Sequence, residues 1–256
     1  MRVITFNTQG IEQAAENGFF DWMVQQDADV ICLQDLRAKE YQLDDERYHP
    51  EGYHPFFFDA WEDGYSGVAI YTRELPKAIM TGLGFELCDQ HGRFIQADFE
   101  HVSVSSFFIP SGLKSEEAQA EKEAFMVDFL GHFNKTLRKR REFIFCGTTN
   151  IAHKTVDLSN WYANQTVSGF LQVERDWMAE IFDEMGYVDA FRQINKAERQ
   201  FSWWPAYNRA RKLNEGARLD YQIATANLRK TVKNAQIYRD QSFSEHAPII
   251  IDYDIG

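Results

Sequence analysis

Two concentrations of positive charge stand in a chain that is otherwise acidic. Lys135, Arg138, Lys139, Arg140 and Arg141 put five basic residues into seven positions. Between Arg209 and Arg239 lie eight more (Arg209, Arg211, Lys212, Arg218, Arg229, Lys230, Lys233 and Arg239), against only Glu215 and Asp220. Guanidinium and ammonium groups at that density neutralise phosphates, and a local excess of them is the usual footprint of a nucleic-acid contact. A helix C-terminus needs only one or two cations, so five exceed what its dipole requires. Arg209 to Lys212 read as a solvated loop, and Arg218 as the partner of a site carboxylate. The candidates for nucleic-acid or partner contact are therefore Arg138, Lys139, Arg140, Arg141, Arg229, Lys230 and Lys233. Trp203 and Trp204 have the surface to stack on a base, although aromatic residues in such a run are commonly core. Trp161 and Tyr162, in a polar stretch, read as surface aromatics. Cys32, Cys88 and Cys146 lie far apart with no C-x-x-C spacing, and His49, His54, His91, His101, His132 and His153 show no ligand spacing.

The elements that carry these residues follow from apolar patterning. The chain has 256 residues, 27 basic and 39 acidic, for a net charge of −12. That charge excludes a general nucleic-acid binder, so a polyanion must be met by local patches. With 44% hydrophobic residues, including 21 Phe, 11 Tyr and 6 Trp, the chain has material for a sizeable core and is not intrinsically disordered. Neither a membrane-length apolar run nor a signal-peptide pattern is present, which points to the cytoplasm. Short runs rich in Val, Ile and Phe predict strands at Val3–Phe6, Asp29–Gln34, Gly67–Thr72, Phe94–Phe99, Val102–Ile109, Phe143–Cys146, Leu219–Ala224 and Ile249–Tyr253. Phe56–Phe58 reads as a strand buried on both faces. Periodicity predicts helices over Ile11–Gln26, Ser115–Leu137 and Gln172–Met185, the last stopped by Gly186. Such intermixing suggests an α/β fold of two packed mixed sheets with helices outside, in one domain over residues 1–256.

A series of short motifs then appears in order: Phe6-Asn7-Thr8-Gln9-Gly10, Ile31-Cys32-Leu33-Gln34-Asp35, Tyr65-Ser66-Gly67-Val68-Ala69, Phe108-Ile109-Pro110-Ser111-Gly112, Cys146-Gly147-Thr148-Thr149-Asn150, Phe201-Ser202-Trp203-Trp204, Arg218-Leu219-Asp220-Tyr221 and Ser244-Glu245-His246-Ala247-Pro248. Over nearly the whole chain this series resembles the exonuclease III-like endonuclease/exonuclease/phosphatase family. The resemblance implies a four-layer α/β/β/α sandwich with a cleft between the sheets. It also implies Mg²⁺-assisted attack of water on a phosphodiester. In that chemistry one carboxylate anchors the cation and an Asp in a Gly-Asp-x-Asn motif prepares the water. Asn side chains, a Tyr and an Asp–His pair hold the phosphoryl group.

At several of these positions the chain departs from the pattern. Thr148 stands where the water-activating Asp belongs, and a Thr hydroxyl is no base at neutral pH without another base beside it. The metal carboxylate is Asp35, one methylene shorter than the family's Glu. The Tyr is Phe108, Gln9 replaces an Asn, and Glu245 replaces an Asp. Asn7, Asn150, Asp220 and His246 are kept. Asn7, Asp35, Phe108, Thr148, Asn150, Asp220, Glu245 and His246 are therefore expected to form a relic cleft without catalysis or cofactor, in which Asp35 is the best candidate metal contact.

Further segments, among them Gly82-Leu83-Gly84-Phe85-Glu86, Arg138-Lys139-Arg140-Arg141-Glu142 and Phe201-Ser202-Trp203-Trp204-Pro205, are similar to one branch of that family, the catabolite repression control (Crc) proteins. That similarity implies translational repression together with the RNA chaperone Hfq on A-rich mRNA leaders, with weak or no RNA binding by the chain alone. The alternative is a Mg²⁺-dependent exonuclease III-like AP endonuclease or exodeoxyribonuclease of DNA repair that uses Asp35, Asp220, Glu245 and His246.

Overall fold

The apolar runs fold into two six-stranded sheets. A computed structural model describes residues 1–207 and 209–255. The strands are β1 (Arg2–Asn7), β2 (Val30–Gln34), β3 (His54–Phe58), β4 (Val68–Thr72), β5 (Ala78–Thr81), β6 (Phe94–Asp98), β7 (Val102–Phe108), β8 (Glu142–Thr148), β9 (Val188–Asp189), β10 (Asp220–Ala224), β11 (Val232–Ile237) and β12 (Ile249–Tyr253). The first sheet runs β11-β12-β1-β2-β4-β3 and the second β5-β6-β7-β8-β10-β9. Each has one parallel pair, β1 with β2 and β7 with β8, among antiparallel neighbours.

Four layers have three interfaces, and the buried apolar side chains fall into three main clusters. Val3, Cys32, Ile70, Val104, Ile144 and Cys146 belong to the one between the sheets. Ile4, Phe6, Ile31 and Leu33, the alternate positions of the same strands, pack outward against Phe19, Trp22 and Met23. On the other side Phe107, Phe143, Phe145 and Tyr221 meet Phe125, Phe129 and Phe133 of the Glu116–Thr136 helix, with Trp177 and Met178. Period-two alternation thus places one set of residues between the sheets and the other beneath helices. The expected four-layer sandwich is the observed fold. Among the described residues no helix is long and apolar enough to cross a membrane.

Three elements differ from their sequence-based expectation. The segment 11–26 is two helices, Ile11–Glu16 and Phe19–Val24, because Gly18 takes a left-handed φ of 86° and Asn17 Nδ2 donates to the Phe243 carbonyl. Phe56–Phe58 lies in β3, an edge strand with its phenylalanines only half-buried, rather than a strand buried on both faces. The Gln172–Met185 helix is α-helical only to Ala179 and continues as a π turn over Glu180–Glu184. By contrast, the Glu116–Thr136 helix starts where its acidic first turn predicts, with Ser115 Oγ accepting from the Ala118 amide.

Arg218 does not serve a cleft carboxylate. Its buried guanidinium donates to Asp157 (2.9 Å) and Asp189 (2.7 Å), and Arg192 adds a 2.6 Å bond to Asp157. Two residues before Asp220, this network ties the start of β10 to β9 and to the Thr155–Asp157 turn. Burial pushes the Asp157 carboxyl up, but Arg218 and Arg192 outweigh it and hold the group down at about 2. A depressed carboxylate contributes its stability above its unfolded pKa and loses it as pH falls through the folded one. Roughly 2 kcal/mol is therefore expected to disappear between about pH 4 and pH 2. Urea unfolding across that range should show it, and Asp157→Asn, less stable at neutral pH, should lack that part of the acid slope.

Candidate active site

The strand ends that carry the motifs meet at one end of the two sheets. β1 and β2 end side by side at Asn7 and Gln34, β8 ends at Thr148, and β10, running the other way, starts at Asp220 directly opposite Thr148. With Thr148 and Asp220 buried behind them, Asn7, Phe108 at the end of β7, and Glu245 and His246 in the loop before β12 line a cleft of about 1500 Å³. That exceeds the roughly 300–1,000 Å³ of a small-molecule pocket and suits a polymer. Five non-glycine residues lining it hold left-handed backbone conformations that only neighbouring structure can maintain: Gln9 (φ 48°), Asp35 (55°), Arg37 (54°), Asn150 (55°) and Arg199 (56°).

The centre of the site is the Asp220 carboxylate. Its Oδ1 accepts from Thr148 Oγ1 at 2.5 Å, and its Oδ2 accepts from Ser202 Oγ at 2.6 Å and His246 Nδ1 at 2.7 Å. Asn7 Nδ2 crosses from the other sheet to Thr148 Oγ1 at 3.0 Å. Each of these five residues is buried. A carboxylate only accepts, so the His246 proton at Nδ1 is set by Asp220 and the Nε2 lone pair is left for other work. Ser244 Oγ donates to the Asn7 carbonyl and accepts from the His246 amide, which locks the last motif onto the first.

Of the residues singled out in the sequence, Asn7, Thr148, Asp220 and His246 form this connected set. Glu245 sits beside it, where Oε2 accepts from Gln9 Nε2 (3.3 Å) and Trp203 Nε1 (3.1 Å). Asn150 lines the cleft, but its amide turns to the Ile109 carbonyl at 2.8 Å. Phe108 presents its ring to Arg93, whose Cζ lies 5.4 Å from the centroid. Ser202, Arg37 and Arg93 belong to the site without having stood out in the sequence, whereas Gln9 stood out as the replacement of an Asn. Ser202 lies inside the Phe201–Trp204 motif, and Arg37 is two residues past Asp35. Trp204 is core, whereas Trp203 lines the cleft.

A divalent cation is implied by the family, and the donor set does not fit one as it stands. Mg²⁺ is usually held by one or two carboxylates plus substrate phosphates. Here Asp35 Oδ2 takes both Arg37 Nε (3.1 Å) and Nη2 (2.7 Å). Both oxygens of Asp220 are engaged, and among the described residues no group of three His, Cys, Asp or Glu side chains could hold a metal.

Residues 4–246 match the model of the Endonuclease/Exonuclease/phosphatase family. The chain belongs to that family. It is 32% identical to an exodeoxyribonuclease of Bacillus subtilis over 97% of this chain and 98% of that protein. It is 29% identical to a DNA-(apurinic or apyrimidinic site) endonuclease of Dictyostelium discoideum, over 100% of this chain and 71% of that one. The structure of an AP endonuclease from Archaeoglobus fulgidus superposes with a TM-score of 0.91 at 24% identity, covering both chains completely. These end-to-end relatives overturn the expectation of a chain without catalysis, for they carry the names of nucleases. The Asp220–His246 pair, with an amide and a hydroxyl around it, is intact.

The basic candidates lie elsewhere. The Arg138–Arg141 run precedes β8 and Thr148 ends it, so about 20 Å of strand separates them from the cleft. Arg141 is structural: its guanidinium donates to Ser103 Oγ, to the Val102 carbonyl at 3.0 Å and to the Phe99 carbonyl, clamping the β6–β7 turn. Lys139 lies over the Phe143 ring at 5.7 Å, and Lys233 pairs with Asp254 at 3.3 Å. Arg138, Arg140, Arg229 and Lys230 are exposed and in no ion pair among the described residues. Because β10 runs antiparallel to β8, its far end brings the Ala226–Lys230 turn to the same pole. There Asn227 Nδ2 bonds Glu142 at 2.8 Å.

Proposed function

We propose that the cleft binds the phosphodiester backbone of a nucleic acid and hydrolyses it, as an exonuclease III-like AP endonuclease or exodeoxyribonuclease would. The observation that supports this is the Asp220 carboxylate joining Thr148, Ser202 and His246, with Asn7 reaching in from the other sheet. Asn7, whose Nδ2 keeps a second N–H beyond the one given to Thr148, orients a phosphoryl oxygen. His246, fixed by Asp220, offers its Nε2 lone pair to the attacking water as a general base. Without a carboxylate at position 148 the rate stands about 10²–10⁴ below that of a site with a positioned base. The test is cleavage of abasic-site duplex and of labelled DNA 3′ ends, with and without Mg²⁺ or Mn²⁺. Slow turnover that vanishes in Asp220→Ala and His246→Ala is expected. Wild-type product no greater than that of Asp220→Ala overturns the reading.

A second reading rests on the basic pole. We propose that Arg138, Arg140, Arg229 and Lys230 hold RNA presented by a partner, as the likeness to catabolite repression control proteins implies for Hfq on A-rich leaders in the cytoplasm. Two clusters about ninety residues apart in the chain share one surface in a molecule of net charge −12. Non-specific binding is weak even for basic proteins, with Kd roughly 10⁻⁴–10⁻⁶ M, so a second tethered contact raises it usefully. The Arg140→Glu/Lys230→Glu double variant should lose the ternary gel shift with Hfq and A-rich RNA while its thermal melting stays unchanged. Normal assembly by that variant removes the reading.

A further inference from the structure

Arg37 holds Asp35 in a way the fold has set in advance. The peptide from Asp35 to Arg37 is pinned at every residue: the Asp35 carbonyl accepts from the Gly10 amide and Thr8 Oγ1, the Leu36 amide donates to Gly67, and the Arg37 amide donates to Ser66 at 2.7 Å. With left-handed φ at both ends of the tripeptide, the two side chains turn to the same side and meet through Nε and Nη2 on one oxygen. The Asp35 side chain is 9% exposed and that of Arg37 48%, so the carboxylate is covered and the guanidinium faces the cleft. A guanidinium has five N–H donors. Two are spent on Asp35, and three remain. Deeper in the same wall Arg93 is 1% exposed, donates to Tyr65 Oη at 2.6 Å, and has an Nε without a hydrogen-bond partner.

We infer that Arg37 stands in for the divalent cation on Asp35, neutralising the carboxylate and presenting its remaining N–H groups to a phosphate, so that the cleft takes a phosphodiester without metal. A planar fork on a carboxylate with further donors outward is the geometry in which arginine binds phosphate bidentately. A cation approaching Asp35 would be repelled by the guanidinium charge already held on Oδ2. The inference builds on the phosphodiester-binding half of the proposed function and is independent of whether hydrolysis follows.

The experiment measures binding of a fluorescein-labelled, 5′-phosphorylated single-stranded DNA oligonucleotide in EDTA and in Mg²⁺. The Arg140→Glu/Lys230→Glu background removes the contribution of the basic pole. The parent should bind equally in both buffers. Arg37→Ala should bind about ten- to a hundredfold more weakly in EDTA and recover in Mg²⁺, and Arg37→Lys should fall between. Mn²⁺ titration followed by electron paramagnetic resonance should show a bound ion in Arg37→Ala and not in the parent. Parent binding that requires Mg²⁺, or equal affinity of the parent and Arg37→Ala in EDTA, overturns the inference. Metal-independent binding without turnover leaves it standing and removes only the hydrolytic half of the proposed function.

Discussion

Thr148→Asp is expected to raise the rate of phosphodiester cleavage by tens to a few hundredfold. Thr148 Oγ1 lies 2.5 Å from Asp220 and 3.0 Å from Asn7, at the end of β8 where the two sheets meet. A carboxylate there supplies the base that the hydroxyl lacks, a loss that usually costs about 10²–10⁴ in rate. The gain stops short of the full factor for two reasons. Phe108 still lacks a hydroxyl donor, and Asp35 is still covered by Arg37. The new carboxylate also faces Asp220, and two like charges in contact raise one of the two pKa values. The rate should therefore increase with pH more steeply in the variant than in the wild type, and pH–rate profiles of both would show it. No gain at any pH, in a variant with unchanged melting, would mean that position 148 does not face the attacking water.

Lys122→Met should cost about 3–5 kcal/mol of folding stability, the largest single effect expected in the molecule. Lys122 and Glu174 are both fully buried and 2.5 Å apart. Lys122 Nζ also donates to the Asn150 carbonyl at 2.8 Å, and Glu174 Oε2 accepts from the Gly169 and Leu171 amides at 2.7 and 2.9 Å. One ion pair thus fastens the Glu116–Thr136 helix to two cleft-lining loops. Removing only the lysine leaves Glu174 as an uncompensated buried charge, whereas Lys122→Met/Glu174→Gln keeps an acceptor for the two amides without that charge. Urea unfolding should place the double variant between the wild type and Lys122→Met. A double variant no better than the single would mean that the lost Asn150 contact, not the stranded charge, dominates.

The strands that the sequence revealed and those that it hid differ in one respect. β1, β2, β4, β6, β7, β8, β10 and β12 are interior to their sheets, are mostly buried on both faces, and read as apolar runs. β3, β5, β9 and β11 are the four edges. β5 (AIMT) and β11 (VKNAQI) carry exposed positions that erase the apolar signal, β9 has only two residues, and β3 was read as buried. Edge strands keep one side in water, so their composition resembles that of loops.

The site divides along the same physical line. Motif order alone picked out Asn7, Asp35, Thr148, Asp220 and His246, because each lies in a short motif that is a local feature of the chain. Which of them touch is decided by sheet register and inter-sheet packing, and Asn7 meets Thr148 across 141 residues. The local pattern had no means of showing that Asp35 is taken by Arg37 or that Ser202 completes the Asp220 set. Nor could it show that Arg141 clamps a turn while Arg138, Arg140, Arg229 and Lys230 gather at one pole. Periodicity and residue type record what each segment must bury. Most charge partners and shared surfaces come from the pairing of distant segments, and even the neighbours Asp35 and Arg37 meet because Gly10, Ser66 and Gly67 hold their backbone, which only the tertiary structure decides.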